Sequence, residues 1–307
     1  MSAWQTPSSH RPWAGLVASA PEAQVAEVGV LGVPWDNAAS YRRGAAEAPS
    51  ALRQASAAAD PYTEAGERIR LRILDYGDVP RDLQEDRYRR AVVEQAKLVL
   101  AHPRAIFLGG DHSISISTMQ AMHEVSEEPF GVLHLDAHAD LEEEYEGSRW
   151  SHACVARRAL ELPGFDPAHY VMVGLRAAIA EDREFLQAHP EMLALPMREV
   201  LRRGLSATAE AVVEKLQGLS RVYVTLDIDV LDPAFAPGTG TPNAGGWSTR
   251  ELLTFLEMVV PRLPVRALDL VEISPPWDAS GATVWAGLKV LLETLGWWQL
   301  GLEGEPK

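Results

Sequence analysis

Three stretches of the chain carry side chains whose types and spacing could do chemistry. The first is Val132-Leu-His-Leu-Asp136-Ala-His138-Ala-Asp140, an apolar run that ends in three potential metal ligands at alternate positions. Alternate side chains of an extended segment share a face, so Asp136, His138 and Asp140 can point the same way where the strand stops. The second, Val222-Tyr-Val-Thr-Leu-Asp227-Ile-Asp229, is another apolar run and ends in two carboxylates two apart. The third, Ala105-Ile-Phe-Leu-Gly-Gly-Asp111-His112, passes through two glycines into a histidine. Taken singly, an Asp or His at a strand end is ordinarily a turn former or a helix cap. Taken together, His112, Asp136, His138, Asp140, Asp227 and Asp229 supply four carboxylates and two imidazoles. Gathering them with no cation would leave crowded, partly desolvated negative charge, which two divalent ions would balance. A carboxylate-rich set with some imidazole and no thiolate suits manganese, and its geometry also admits nickel, cobalt or iron.

Such a set can converge only if several strands end side by side. Strands are expected at Val25–Leu31, Arg72–Leu74, Tyr170–Gly174, Met192–Leu195 and Val265–Leu270, besides the three that carry ligands. Helical spacing is expected over about 86–100, 115–122, 180–187 and 207–219, with a last long helix over Gly281–Leu295. Ser248-Thr-Arg-Glu251 has the spacing of a capping box and should start a helix reaching about Val260. This alternation implies an α/β fold: a single domain with a mainly parallel β-sheet and helices on both faces. Ligands of such sheets gather beyond the carboxyl ends of the strands, where every candidate residue here falls. Residues 1–24, with Trp4 and Trp13, read as an irregular N-terminal arm, either loose or packed on a neighbouring subunit, and 25–307 as the catalytic domain.

With 307 residues, 47% hydrophobic and 23% charged, the chain can bury a sizeable core. The net charge of −15 argues against nucleic-acid and anionic-membrane partners and is compatible with a small cationic substrate. The single cysteine, Cys154, excludes an intramolecular disulfide and reads as a small buried hydrophobe. No membrane-spanning run and no signal peptide are visible, so a cytoplasmic location is the expectation. Arg42 and Arg43 read as a solvated basic pair, the acidic run Glu142–Glu146 as a solvated face, and Asp232, before Pro233, as a turn former.

Gly109-Gly-Asp-His-Ser113, Asp136-Ala-His-Ala-Asp140 and the segment from Asp227 to Pro242 resemble the three signatures of the ureohydrolase family, which includes the arginases and agmatinases. Gly32-Val-Pro-Trp-Asp36 and Leu270-Val-Glu272-Ile-Ser-Pro are most similar to the agmatinase branch. The resemblance implies an arginase-like three-layer α/β/α fold and two Mn2+ per subunit. His112 and Asp140 would hold one ion, His138 and Asp229 the other, and Asp136 and Asp227 would bridge. It further implies cleavage of a guanidino compound to urea and an amine by a metal-bridging hydroxide, because a charge-delocalised guanidinium needs a strong nucleophile at neutral pH. In that scheme Asp140 also aims the hydroxide, Glu272 matches the guanidinium plane, and His152 transfers the proton to the leaving nitrogen. Thr241 is a further candidate partner of the leaving amine.

Arginases resemble one another in a Ser-Gly-Asn loop and an Asp-rich segment that clamp an α-amino acid. The corresponding places here read Glu142-Glu-Glu-Tyr-Glu-Gly-Ser148 and Gly174-Leu-Arg-Ala-Ala-Ile179, so that clamp is missing. Agmatine is therefore the first substrate. Guanidinobutyrate, guanidinopropionate and arginine are alternatives, and the chain departs from the agmatinase pattern at Ala153 and Cys154. The rival readings are a non-catalytic metal-binding homologue and a deacetylase on a related fold, which would need one zinc. By resemblance the protein is a homo-oligomer, trimeric or hexameric.

Overall fold

Short runs of β-branched and aliphatic residues bounded by polar turns become eight strands in the computed structural model, which describes residues 12–126 and 128–303. They are β1 (Val28–Val33), β2 (Ile73–Asp78), β3 (Arg104–Gly109), β4 (Gly131–Leu135), β5 (Tyr170–Leu175), β6 (Leu193–Pro196), β7 (Val222–Asp227) and β8 (Val265–Val271). They pair in the order β2-β1-β3-β8-β7-β4-β5-β6, and every pairing is parallel. Parallel neighbours need long crossovers, and these carry the helices α1 (Ala48–Ser56), α2 (Glu85–Val99), α3 (Ile114–Val125), α4 (Val155–Leu160), α5 (Ala180–Ala188), α6 (Met197–Arg203), α7 (Leu205–Leu216) and α8 (Thr249–Val259), while α9 (Ala282–Glu303) follows the last strand.

Alternation along the strands divides the core between two faces. Leu52 of α1, Val212 of α7, Leu252 of α8 and Leu288 of α9 pack with Val28, Val30, Val224 and Leu268 on one side. Val92 of α2, Met119 of α3 and Val155 of α4 pack with Leu31, Phe107 and Tyr223 on the other. The result is the three-layer α/β/α arrangement expected of the chain. At α8 the capping box is present, with the Ser248 hydroxyl accepting from Glu251 N at 3.2 Å and the Glu251 carboxylate accepting from Ser248 N at 2.8 Å.

Two local expectations need correction. The last helix runs on to Glu303 rather than stopping at Leu295, because Gly296 is a point of close approach and not a terminator. A methyl there would come within 2.2 Å of Thr63, so the glycine lets the 61–70 segment lie against the helix. The short helices α4 and α6 have too few turns to show a period. Of the arm, Trp4 lies outside the described residues. Trp13 is fully buried against its own chain, its indole donating to Asp75 at 2.8 Å.

Candidate metal centre

Four adjacent strands, β3, β8, β7 and β4, end together, and the candidate residues leave their carboxyl ends. His134 lies within β4, and past the strand end the chain bends at 137–138, bringing Asp136, His138 and Asp140 to the same edge of the sheet. Each leading carboxylate folds the backbone over the next ligand: Asp136 accepts from His138 N at 2.6 Å, and Asp227 accepts from Asp229 N at 2.8 Å. The β8 end is tied to the β3 loop twice. Glu272 N donates to the Gly110 carbonyl at 2.9 Å, and the Glu272 carboxylate accepts from His112 N at 2.8 Å. Asp140 and Glu272 both have left-handed backbone, with φ of 52° and 63°. For non-glycine residues this costs about 1–3 kcal/mol each and persists only where the surroundings enforce it.

The side chains converge. His112 Nδ1 lies 3.0 Å from Asp136 Oδ2, 3.1 Å from Asp140 Oδ2 and 3.4 Å from Asp227 Oδ2. His138 Nδ1 lies 3.0 Å from Asp229 Oδ2 and 3.4 Å from Asp136 Oδ1. Ligand atoms of His112, His134, Asp136 and Asp140 fall within 4.8 Å of one another, as do those of Asp136, His138 and Asp229, so Asp136 belongs to both groups. Asp227 stands slightly apart from these two groups and reaches the first through His112. His112 Nδ1 and Asp229 Oδ2 are buried yet have no hydrogen-bond partner. Buried polar atoms are ordinarily satisfied, and these two aim into the cluster. The donor set and its orphaned atoms therefore fit two divalent cations sharing Asp136.

Electrostatics agree that the site is short of positive charge. Burial and then the charges of Asp229 and Asp136 hold Asp227 well above the usual carboxylate range. Burial opposes a charge on His138, but Asp229 and Asp136 outweigh it and push the imidazole up to about 12. Burial also opposes a charge on Asp136, and hydrogen bonds from His112, His134 and His138 prevail and hold it well below the ordinary value. Glu272 is raised by burial and by its neighbour Asp111.

Of the remaining predicted residues, His152 and Thr241 line a cleft of about 200 Å³ together with His138, Asp140, Glu142 and Asp182, with Ser40, Tyr145 and Ile179 among the others. His152 Nδ1 is 2.5 Å from the Ala38 carbonyl, which leaves Nε2 beside the Ser40 hydroxyl at 3.3 Å. Glu272 is not part of that wall. Its Oε2 faces Gly240, where a methyl would approach to 3.1 Å, next to Thr241. Asp232 is a turn former, its carboxylate accepting from Ala234 N and Gly245 N at 2.9 and 2.7 Å. Cys154 is buried, as expected. Arg42 is not a freely solvated cation: its guanidinium lies between the rings of Tyr41 and Trp277, 5.0 and 4.7 Å from their centroids.

Sequence reasoning missed several supporting residues. His134 looks like one more strand residue, yet its Nε2 is 2.8 Å from Asp136 and its Nδ1 is 3.2 Å from the Tyr170 hydroxyl. Its position two before Asp136 was the available signal. Arg176 donates to the carbonyls of Asp229, Leu231 and Asn243, at 2.5, 3.1 and 2.7 Å, and so pins the Asp229 turn from behind. Asp111, pushed up to about 6 by burial, accepts from Ala38 N at 2.9 Å and from the Ser113 hydroxyl, joining the 36–38 loop to α3.

Known proteins resemble this chain in sequence and in fold. The Arginase family model matches residues 26–296. Agmatinase of Bacillus subtilis is 35% identical over 292 residues, 91% of this chain and 94% of the relative. Guanidinopropionase of Pseudomonas aeruginosa is 32% identical over 88% of this chain and 86% of its own length. The solved structure of proclavaminate amidino hydrolase from Streptomyces clavuligerus superposes with a TM-score of 0.82 at 31% identity, covering 90% of this chain and 93% of that one. With most of both chains aligned, and with the histidine and aspartate motifs gathered at one edge of a common sheet, the chain belongs to the arginase family.

Proposed function

We propose that the protein is a binuclear-metal amidinohydrolase that adds water across a small guanidino compound, agmatine first, and releases urea and a primary amine. The observation that carries this reading is the sharing of Asp136 between two ligand groups, each with a histidine nitrogen and carboxylate oxygens, in which His112 Nδ1 and Asp229 Oδ2 are buried without a hydrogen-bond partner. The names of the relatives, agmatinase, guanidinopropionase and proclavaminate amidino hydrolase, support an amidino group as the target. We assign His112, Asp136, Asp140, His138, Asp227 and Asp229 as ligands of two manganese ions. When bound, such a pair supplies the strong nucleophile that a guanidinium requires, by lowering the pKa of water.

The chain's own groups do the rest. Asp140, whose strained backbone aims its carboxylate, accepts a hydrogen bond from the nucleophile. Glu272 offers its outward oxygen to the guanidinium N–H groups and holds their plane, which removes orientational cost from the attack. His152 sits on a loop at the cleft with its Nε2 towards Ser40, suited to hand a proton to the departing nitrogen, and Thr241 accepts from the resulting amine.

The cleft wall supports a cationic tail. Asp182 is buried, Glu142 is half-buried, and both line it. Burial, with the charge of neighbouring carboxylates, raises both. None of the described residues lining the cleft is a lysine or arginine, so a tail carboxylate would meet like charge. This favours agmatine over guanidinobutyrate, guanidinopropionate and arginine. The same reading makes the protein a cytoplasmic, homo-oligomeric enzyme of polyamine metabolism, trimeric or hexameric, with size measured by light scattering. No helix among the described residues is long and apolar enough to cross a membrane.

The test is to load purified protein with manganese, offer these four compounds and an acetyl-polyamine, and assay urea and acetate. Urea from agmatine at the highest kcat/KM is expected. Acetate would indicate the deacetylase chemistry instead, and neither product with any compound would leave a non-catalytic homologue.

A further inference from the structure

Beneath His112 lies a chain of buried polar side chains that the chemistry above does not use. Thr225 of β7 and Asp269 of β8 are paired across the sheet, and both are fully buried, as are Tyr223 and Thr118. Asp269 accepts on both oxygens, from the Thr225 hydroxyl at 2.7 Å and from the Tyr223 hydroxyl at 2.8 Å. Thr118 in turn lies 2.7 Å from the Tyr223 hydroxyl. A carboxylate buried this deeply among apolar residues is costly unless it is satisfied, and here hydroxyls satisfy it rather than a directly paired cation.

The geometry settles which way the hydrogens run. A threonine hydroxyl has one proton, and the nearest acceptor for it is Asp269. Ser115 is farther, at 3.4 Å. Having given that proton away, the Thr225 oxygen can only accept from His112 Nε2, which lies 2.8 Å from it. Nε2 therefore keeps its hydrogen, and Nδ1 faces the oxygens of Asp136, Asp140 and Asp227, where its lone pair is the one offered to a cation.

We propose that Asp269, acting through Thr225, is a positioning residue that fixes the tautomer and orientation of His112 and so sets the affinity of one of the two cation sites. This rests on the two-metal reading of the site. In the Asp269→Asn variant an amide N–H can face Thr225. The hydroxyl then turns its proton to His112 Nε2, and the ring hydrogen moves to Nδ1, against the cation site. Thr225→Val removes the link altogether, while Thr225→Ser keeps it.

The experiment titrates the metal-free wild type and the three variants with manganese(II). Metal per chain is measured after dialysis, the bound ions are followed by electron paramagnetic resonance, and thermal unfolding is recorded to verify the fold. Wild type and Thr225→Ser are expected to hold two ions with an exchange-coupled spectrum. Asp269→Asn and Thr225→Val are expected to bind one of the two about 10–100-fold more weakly and to show the six-line spectrum of an isolated ion. If both variants hold two ions with wild-type affinity, or if Thr225→Ser fails as Thr225→Val does, the assignment is wrong. Should Asp269→Asn not fold, the Thr225 pair decides alone. A wild type that binds no manganese would instead overturn the two-metal reading itself.

Discussion

Replacing Glu272 by Gln keeps the shape of the side chain and removes its charge. The amide carbonyl can still accept from His112 N, as Glu272 now does at 2.8 Å, so the tie between β8 and the β3 loop should survive. What is lost is the charge-assisted grip on the guanidinium through the oxygen that faces Gly240 and the second lone pair of its partner. Each such bond contributes about 1.5–3 kcal/mol, so a two-bond grip is worth about 3–6 kcal/mol. At 1.36 kcal/mol for each tenfold, kcat/KM for agmatine should fall by about 10²–10⁴. The assay is steady-state urea release with manganese-loaded enzyme, alongside metal content, which should stay at the wild-type value because Glu272 is not assigned as a ligand. A variant that keeps its metal and retains kcat/KM within about threefold of wild type would refute the assignment of Glu272 to the guanidinium.

Other consequences can be measured separately. His152→Asn should lower kcat by about 10²–10⁴ while metal content is unchanged, and loss of metal in that variant would show His152 to be a ligand or a support instead. Asp182→Asn retains an oxygen to accept from Ile179 N and so keeps the start of α5. It should raise KM for agmatine by about tenfold or more and narrow the preference over guanidinobutyrate, and an unchanged ratio would remove Asp182 from tail recognition. In the metal-free protein, carboxylates hold His138 up to about 12 and His112 well above the usual imidazole range, so both rings keep a proton near neutral pH. Cations must displace those protons, so affinity should rise with pH, and calorimetry in buffers of different ionisation enthalpy should find a net release of protons on binding. No proton release at pH 7 would contradict the ligand assignment.

Much of this was legible in the sequence because strand periodicity and ligand spacing are local. Apolar runs ending in Asp136, His138, Asp140, Asp227 and Asp229 announce both the strands and what their ends carry. The Ser248 capping box marks the start of α8 for the same reason. The supporting residues are different in kind. Thr225, Asp269, Tyr223 and Thr118 come from two strands and a helix, and only the register of β7 against β8 places Thr225 opposite Asp269. In sequence Asp269 is a lone charge within an apolar strand, and nothing nearby tells where its partners lie. His134 was obscured by its strand, which already accounted for an outward or inward residue at that position. The far end of the last helix was hidden for the same reason, since nothing near Gly296 in sequence tells that Thr63 packs against it and that the helix runs on past it.

Two cations are expected to share Asp136 at the carboxyl edge of the sheet. The most direct measurement is a crystal structure of the protein grown with manganese, with anomalous scattering recorded at the manganese edge. Two peaks are expected, one against His112 and Asp140 and one against His138 and Asp229, with Asp136 reaching both. A single peak, or six side chains splayed away from any ion, would contradict it.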